Sequence, residues 1–212
     1  MKLGIIGASG KLGQLITKEA VAKGHDVTAI VRNKAKVTDE NVAVLEKDIF
    51  DLTQADVKNF DVIINAFGAP LGEEQIHVDA GIALNEAVKG TDVRIIIVGG
   101  AGSLYVDEDK TTQLMDTPEF PEIFLPTAKG SARVLEVMYD TKDVTWTFMS
   151  PAADFDYEGK RTGAYQLGKD HVIVNAKGDS YISYADYAIA IVDEAEQGQF
   201  VNTRFTVVGE TE

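Results

Sequence analysis

The sequence predicts an α/β fold of the doubly wound kind, a three-layer sandwich with a parallel sheet between two helical layers and a small C-terminal lobe. Three observations carry that expectation. Short β-branched runs alternate with helical patterns through the N-terminal half, which is the mark of right-handed βαβ units. The first run, Lys2-Leu3-Gly4-Ile5-Ile6, leads directly into Gly7-Ala8-Ser9-Gly10-Lys11-Leu12-Gly13 and then into a helix. The short segments that follow the later strands all fall on the side of the sheet where such folds hold ligands.

The first helix places Leu12, Leu15, Ile16 and Ala20 on one face at helical spacing and stops at Gly24. The tight turn before it sets backbone N–H groups at the positive end of the helix, which suits a pyrophosphate. Gly7 makes the turn, Gly10 admits phosphates without a Cβ in the way, and Gly13 lets the helix lie close to the strand. The spacing is G-x-x-G-x-x-G, not G-x-G-x-x-G. A P-loop does not fit, because Ile5 stands where its first glycine belongs and Leu12 follows Lys11 where Ser or Thr would bind magnesium. Residues Gly7, Ala8, Ser9, Gly10, Lys11, Leu12 and Gly13 therefore read as a dinucleotide-binding turn.

His25 to Val31 forms the second strand and ends in Arg32-Asn33-Lys34. An acidic residue there would bond a ribose 2′-hydroxyl and select NAD, whereas a guanidinium pairs with a 2′-phosphate. The expected cofactor is NADP, with NADPH preferred over NADH, and Arg32 and Asn33 belong to its site. Asn41 to Leu45 is the third strand. Asp48 and Ile49 after it offer a carboxylate to the adenine amine and an apolar face to its ring. A short helix is expected from Leu52 to Phe60. Asp61 to Asn65 is the fourth strand, and Ala66, Phe67 and Gly68 beyond it leave room for the cofactor, with Asn65 as a hydrogen-bonding partner.

Glu74 to Lys89 is helical, with Ile76, Ala80, Leu84 and Val88 on one face, and Val93 to Val98 is a fifth strand apolar enough to be covered on both sides. Gly99-Gly100-Ala101-Gly102-Ser103 reads as a flexible loop beside the nicotinamide position. Tyr105 to Pro126 is an irregular excursion. Thr127 to Tyr139 is helical, with Ala128, Ala132, Leu135 and Met138 facing inward, and Val144 to Met149 is the sixth strand. Gly99, Gly100, Pro151 and Ala152, at the ends of the fifth and sixth strands, complete the cofactor-binding set. Loops and short strands are expected from Asp154 to Asp179. Ser183-x-x-Asp186 opens a last helix in capping-box style, burying Ala188, Ile191, Val192 and Ala195, and Arg204 to Val208 is a final strand. Residues 1–212 read as one domain, with about 151–182 and 199–212 contributing a small substrate lobe.

Composition narrows the function. A chain of 212 residues with 45% hydrophobic and 25% charged residues is an ordinary globular domain. Without cysteine there is no disulfide, thiol nucleophile or thiolate metal site. His25, His77 and His171 lack ligand spacing, so no metal is expected. A net charge of −14 argues against nucleic acid or an anionic membrane as partner, so an anionic cofactor must be held by local dipoles and a few placed cations. The run Ile95 to Val98 is far too short to cross a bilayer, and the N-terminus lacks the pattern of a signal peptide. The expected location is cytoplasmic, as a monomer or homodimer.

Gly7 to Gly13, Ala29 to Asn33, Gly99 to Ser103, Trp146 to Ala152 and Ile182 to Ala188 together resemble the NADH–flavin reductase family. Its members are atypical short-chain dehydrogenases related to NmrA-like proteins and to biliverdin reductase B. The resemblance implies a Rossmann fold, a bound NAD(P) and reduction of a flavin-like planar acceptor such as FMN or riboflavin. Ordinary short-chain dehydrogenases carry Tyr-x-x-x-Lys. Here Lys129 is present, but Leu125 stands four residues earlier, and Phe124 has no hydroxyl. Carbonyl reduction needs an acid to capture the developing alkoxide, whereas a reduced flavin spreads its charge over the ring and takes a proton from solvent. Ser103 and Lys129 remain the catalytic candidates, and an aromatic among Phe155, Tyr157 and Tyr165 can stack on a flat acceptor. The alternatives are an NADP-binding regulator without turnover, or an epimerase or dehydratase for nucleotide sugars, which the missing tyrosine disfavours.

Overall fold

The computed structural model of the protein describes residues 1–211. The chain runs through β1 (Lys2–Ile6), α1 (Lys11–Ala22), β2 (Asp26–Val31), β3 (Ala43–Glu46), α2 (Gln54–Val57), β4 (Val62–Asn65), α3 (Glu74–Val88) and β5 (Arg94–Val98). It continues through α4 (Leu125–Asp140), β6 (Thr145–Ser150), β7 (Asp154–Asp156), β8 (Tyr165–Gly168), β9 (Tyr181–Ser183), α5 (Tyr184–Gln197) and β10 (Thr203–Gly209). An eight-stranded sheet has the order β3-β2-β1-β4-β5-β6-β10-β8, and β7 and β9 form a separate parallel pair. Every pairing in the large sheet is parallel except that of β8 with β10.

The strands read as continuous apolar runs because both faces are covered. Along β4, Val62 and Ile64 face a core shared with Ile16 and Ala20 of α1 and Tyr187 and Ile191 of α5. Ile63 between them faces a second core with Val78 and Leu84 of α3 and Val134 and Leu135 of α4. β5 and β6 repeat the alternation: Ile96 and Met149 go to the first core, Ile95, Ile97, Trp146 and Phe148 to the second. The layers are also tied across the sheet. Arg94, at the start of β5, donates to Glu194 Oε1 at 2.9 Å and to the Glu194 and Ala195 carbonyls at 2.7 and 2.9 Å. Glu194 in turn accepts from the N–H groups of Gln199 and Phe200. A cation on the last carbonyls of α5 complements that end of the helix.

Two expectations change. The helix expected over Leu52–Phe60 is the single turn α2, capped by Thr53 and Asp56. It stops early because Asp61 accepts from the Lys2 N–H at 2.7 Å and donates its own N–H to the Lys2 carbonyl, drawing the chain into the sheet. Within the stretch 199–212, expected to contribute to the small lobe, β10 (Thr203–Gly209) joins the large sheet. Its register against β6 pairs Phe205 with Met149, and Phe205 and Val207 are buried in the first core.

Candidate functional site

The sheet order reverses between β1 and β4, since β1 pairs with β2 on one side and β4 on the other. A crevice forms beyond the C-terminal ends of such strands. The glycine turn lies there. Gly7 has φ +74°, and a Cβ on it would sit 2.6 Å from the Ala66 carbonyl oxygen. A Cβ on Gly13 would sit 2.1 Å from the Gly7 oxygen, so only glycine lets α1 approach β1 this closely. Gly10 donates to the Gly7 oxygen at 2.8 Å and is the N-cap of α1, with no side-chain cap and no acidic residue in the first turn. Among the described residues, the N–H groups of Lys11, Leu12 and Gly13 have no acceptor. Ala8 is buried in the core, and Gln14 Nε2 donates to the Ser9 carbonyl at 2.9 Å, which fixes the turn from both sides. The result is a rigid, electropositive, uncapped helix terminus facing the crevice.

The other expected cofactor residues divide into those that face this crevice and those that support it. Arg32, at the end of β2, is exposed and forms no ion pair among the described residues. Asn33 Oδ1 accepts from the Ala35 N–H at 2.9 Å, which shapes the turn after β2. Asp48 accepts from the Phe50 N–H and caps a short 3-10 turn, Ile49–Asp51. That turn rotates Ile49 into the second core at 3% exposure, so Ile49 does not offer its face to a ligand. Phe50, 47% exposed, is the outward residue, and its ring meets Phe67 edge-on at 6.3 Å. Reading along the sequence missed Phe50; the tighter pitch of a 3-10 turn is the signal that could have found it.

Asn65 is buried, and its Oδ1 accepts from the Phe67 N–H at 3.1 Å, holding Ala66 and Phe67 across the end of β4. A Cβ on Gly68 would meet nothing within 4 Å, so the crevice is open there. Gly99 crosses over β6 so closely that a Cβ would lie 2.1 Å from the Phe148 ring, and Gly100 lies beside Ser131 Oγ. Pro151 and Ala152 are buried at the end of β6.

The two catalytic candidates lie in different surroundings, Ser103 buried and Lys129 exposed. Ser103 is 5% exposed, and its carbonyl and Oγ both accept from the Arg204 guanidinium, at 2.8 and 3.0 Å. Arg204 also donates to Asp170 through Nε and a terminal nitrogen, at 3.1 and 3.0 Å. The loop expected to be flexible is thus fastened to β10 at its far end. Lys129 is exposed on α4, while Ala128 and Gly130 on either side are buried; a Cβ on Gly130 would lie 2.9 Å from the Glu74 carbonyl of α3.

Tyr181, Tyr184 and Tyr187 near the lobe are all shifted away from acid duty. Burial, then the Asp156 carboxylate, pushes the Tyr181 hydroxyl up to about 12, and burial raises Tyr184. Tyr187 is fully buried, donates to the Met149 carbonyl at 2.7 Å and is raised well above the usual phenol range by burial. A tyrosine serving as general acid needs the opposite shift. Among the described residues there is no cluster of His, Cys, Asp or Glu able to hold a metal ion, and no helix long and apolar enough to cross a membrane.

The NAD(P)H-binding family model matches residues 7–197, from the first glycine of the turn to the end of α5. The chain belongs to the NAD(P)H-binding family. Its cofactor is therefore a nicotinamide dinucleotide, and the electropositive terminus of α1 lies within the matched residues. YwnB of Bacillus subtilis, an uncharacterized protein, is 61% identical over 213 residues, covering all of both chains. SP1627 of Streptococcus pneumoniae, described as a "putative NADH-flavin reductase", is 44% identical over 99% of this chain and 100% of its own, with a TM-score of 0.94. A Bacteroides thetaiotaomicron protein described as a "putative epimerase" is 37% identical over 100% of this chain and 97% of its own, with a TM-score of 0.88.

Proposed function

We propose that this member of the NAD(P)H-binding family is an oxidoreductase that transfers hydride from NADPH to a planar acceptor such as FMN or riboflavin. The observation that carries the reading is the uncapped, acid-free N-terminus of α1 at the reversal of strand order. The free N–H groups of Lys11, Leu12 and Gly13 would hold the pyrophosphate, with Gly7, Gly10 and Gly13 keeping the approach clear. Arg32 would pair with the 2′-phosphate, having no other ionic partner among the described residues to give up. Phe50 and Phe67 supply apolar surface toward the adenine end, and Asp48 and Asn65 hold the turns that present them. Gly99, Gly100, Pro151 and Ala152 border the nicotinamide end.

When bound, the reduced nicotinamide supplies the hydride; the protein's part is to align the two ring systems and exclude water. With Leu125 in place of a tyrosine and Ser103 committed to Arg204, neither of these positions offers an acid to protonate a simple carbonyl oxygen. An acceptor that spreads charge over a ring system does not need one, which favours a flavin over an alcohol, a ketone or a nucleotide sugar. The name given to SP1627 agrees with that choice, and the missing tyrosine weighs against the epimerase name.

The same withdrawal of Ser103 and exposure of Lys129 support a second reading, an NADP-binding regulator without turnover. Following the nicotinamide absorbance of NADPH in the presence of FMN separates the two. Saturable oxidation above the flavin-only background is the expected result. Saturable NADPH binding with no such oxidation would replace the reductase by the regulator.

A further inference from the structure

We infer that Tyr157 is a positioning residue for the phosphate end of the site, acting through Lys11; this rests on the nucleotide reading above. Lys11 is the first residue of α1, and its Nζ lies 3.4 Å from the centroid of the Tyr157 ring. An ammonium on a four-carbon stem samples many rotamers, and a ring face beneath it removes most of that freedom. The cation is thereby held at the rim of a helix terminus whose N–H groups are free.

The ring itself sits on a strap made by residues 156–163, pinned on both sides of Tyr157. On one side, Asp156 accepts from the Glu158 N–H and the Tyr181 hydroxyl, at 2.9 and 3.1 Å. Gly159 lies so close to β9 that a Cβ would be 2.3 Å from the Tyr181 hydroxyl. On the other side, Arg161 donates to both oxygens of Glu19 on α1 at 3.2 Å. The buried Asp186 of α5 accepts from the N–H groups of Thr162 and Gly163, at 3.0 and 2.8 Å. Tyr184 flanks the ring edge-on at 6.4 Å. The strap therefore spans from β9 and α5 to α1, with Tyr157 at its crest.

Both nucleotides share a pyrophosphate, so the effect of Tyr157 must appear equally with NADPH and NADH and must vanish without Lys11. Tyr157 is 52% exposed, so its removal leaves no cavity and the variants fold. Dissociation constants would be measured by titrating NADPH and NADH into the wild type, Y157F, Y157A, K11Q and the Y157A/K11Q double variant. Y157F should match the wild type. Y157A should weaken both nucleotides about 2- to 5-fold, the worth of an exposed cation–ring contact. K11Q should weaken both about tenfold, as loss of a charge-assisted contact to phosphate, and the double variant should be no weaker than K11Q.

A Y157A loss that persists undiminished in the K11Q background would overturn the inference, as would Y157A binding like the wild type or more tightly. An effect confined to the Michaelis constant for the acceptor would instead make Tyr157 an acceptor-stacking residue. A cofactor-independent readout separates this inference from the reading beneath it. The ring-current shift of the Lys11 methylene protons in the free protein should survive in Y157F and disappear in Y157A. Its absence in the wild type sinks the Tyr157–Lys11 contact alone. A normal shift in a protein that binds neither nucleotide sinks the nucleotide reading, and the role of Tyr157 with it.

Discussion

Replacing Arg32 by Ala tests the proposed preference for NADPH. The guanidinium is exposed at the end of β2 and makes no ion pair among the described residues. Its removal therefore leaves no buried partner uncompensated, and folding stability should stay within about 0.5 kcal/mol of the wild type. On the proposed reading, what is lost is the contact with the 2′-phosphate alone. A hydrogen-bonded charge pair is worth about 1.5–3 kcal/mol, and solvent exposure lowers this one to about 1–2 kcal/mol. The expected loss for NADPH is about 5- to 30-fold in dissociation constant. NADH has no 2′-phosphate, so its affinity should change less than about twofold on the same reasoning. Titration followed by nicotinamide fluorescence, with both nucleotides and both proteins, reads the difference directly. Raising the salt concentration should shrink the NADPH effect, because the pair is exposed. An equal loss for NADPH and NADH, or no loss for either, would refute the assignment of Arg32.

Other consequences follow from the close contacts and buried charges. Gly13→Ala puts a methyl group 2.1 Å from the Gly7 oxygen, so α1 must move off β1; a loss of about 1–3 kcal/mol of stability and at least about tenfold in nucleotide affinity is expected, and unchanged binding would contradict the role of the glycine turn. Glu194→Ala leaves the buried Arg94 without its carboxylate partner and two N–H groups without acceptors; urea unfolding should show a loss of about 3–5 kcal/mol, and a loss under about 1 kcal/mol would show that the pair is not buried as described. The Lys47 ammonium, with the Thr53 hydroxyl and N–H, lowers the Asp56 carboxyl to about 2. A carboxyl held lower in the folded protein than in the unfolded chain stabilises above its ordinary value near 4, and that contribution fades as pH falls toward 2. The difference in stability between wild type and Asp56→Asn should accordingly be steady near neutral pH and shrink between about pH 4 and pH 2; a difference that does not change with pH would contradict it.

The βαβ core was legible because its signals are local. Runs such as Val62 to Ile64 and Ile95 to Val98 are apolar at every position since both faces are covered, and glycines mark the ends of α1 and α3. The turn from Gly7 to Gly13 was legible for the same reason: strand, glycines and helix are contiguous. What escaped depends on partners far away in the chain. Ser103 looked free in a glycine loop, but Arg204, 101 residues later, takes both of its oxygens. Ser183-x-x-Asp186 did mark the start of α5, with Ser183 Oγ accepting from the Asp186 N–H. The Asp186 carboxylate, however, holds Thr162 and Gly163 of the strap, 24 and 23 residues earlier. The burial of Ile49 escaped because it depends on a 3-10 turn, capped by Asp48, that turns Phe50 outward in its place. For Lys129 the inward pattern Ala128, Ala132, Leu135 already implied its exposure, since a residue next to Ala128 on a helix points away from that buried face.

Calorimetric titration of the wild-type protein with NADPH addresses the glycine turn most directly, because it needs no acceptor and no turnover. Saturable heat with one nucleotide per chain, much reduced in Gly13→Ala, is the expected result. A wild-type titration without heat over a range of temperatures, together with no protection of the α1 terminus from hydrogen exchange, would contradict the account at its base.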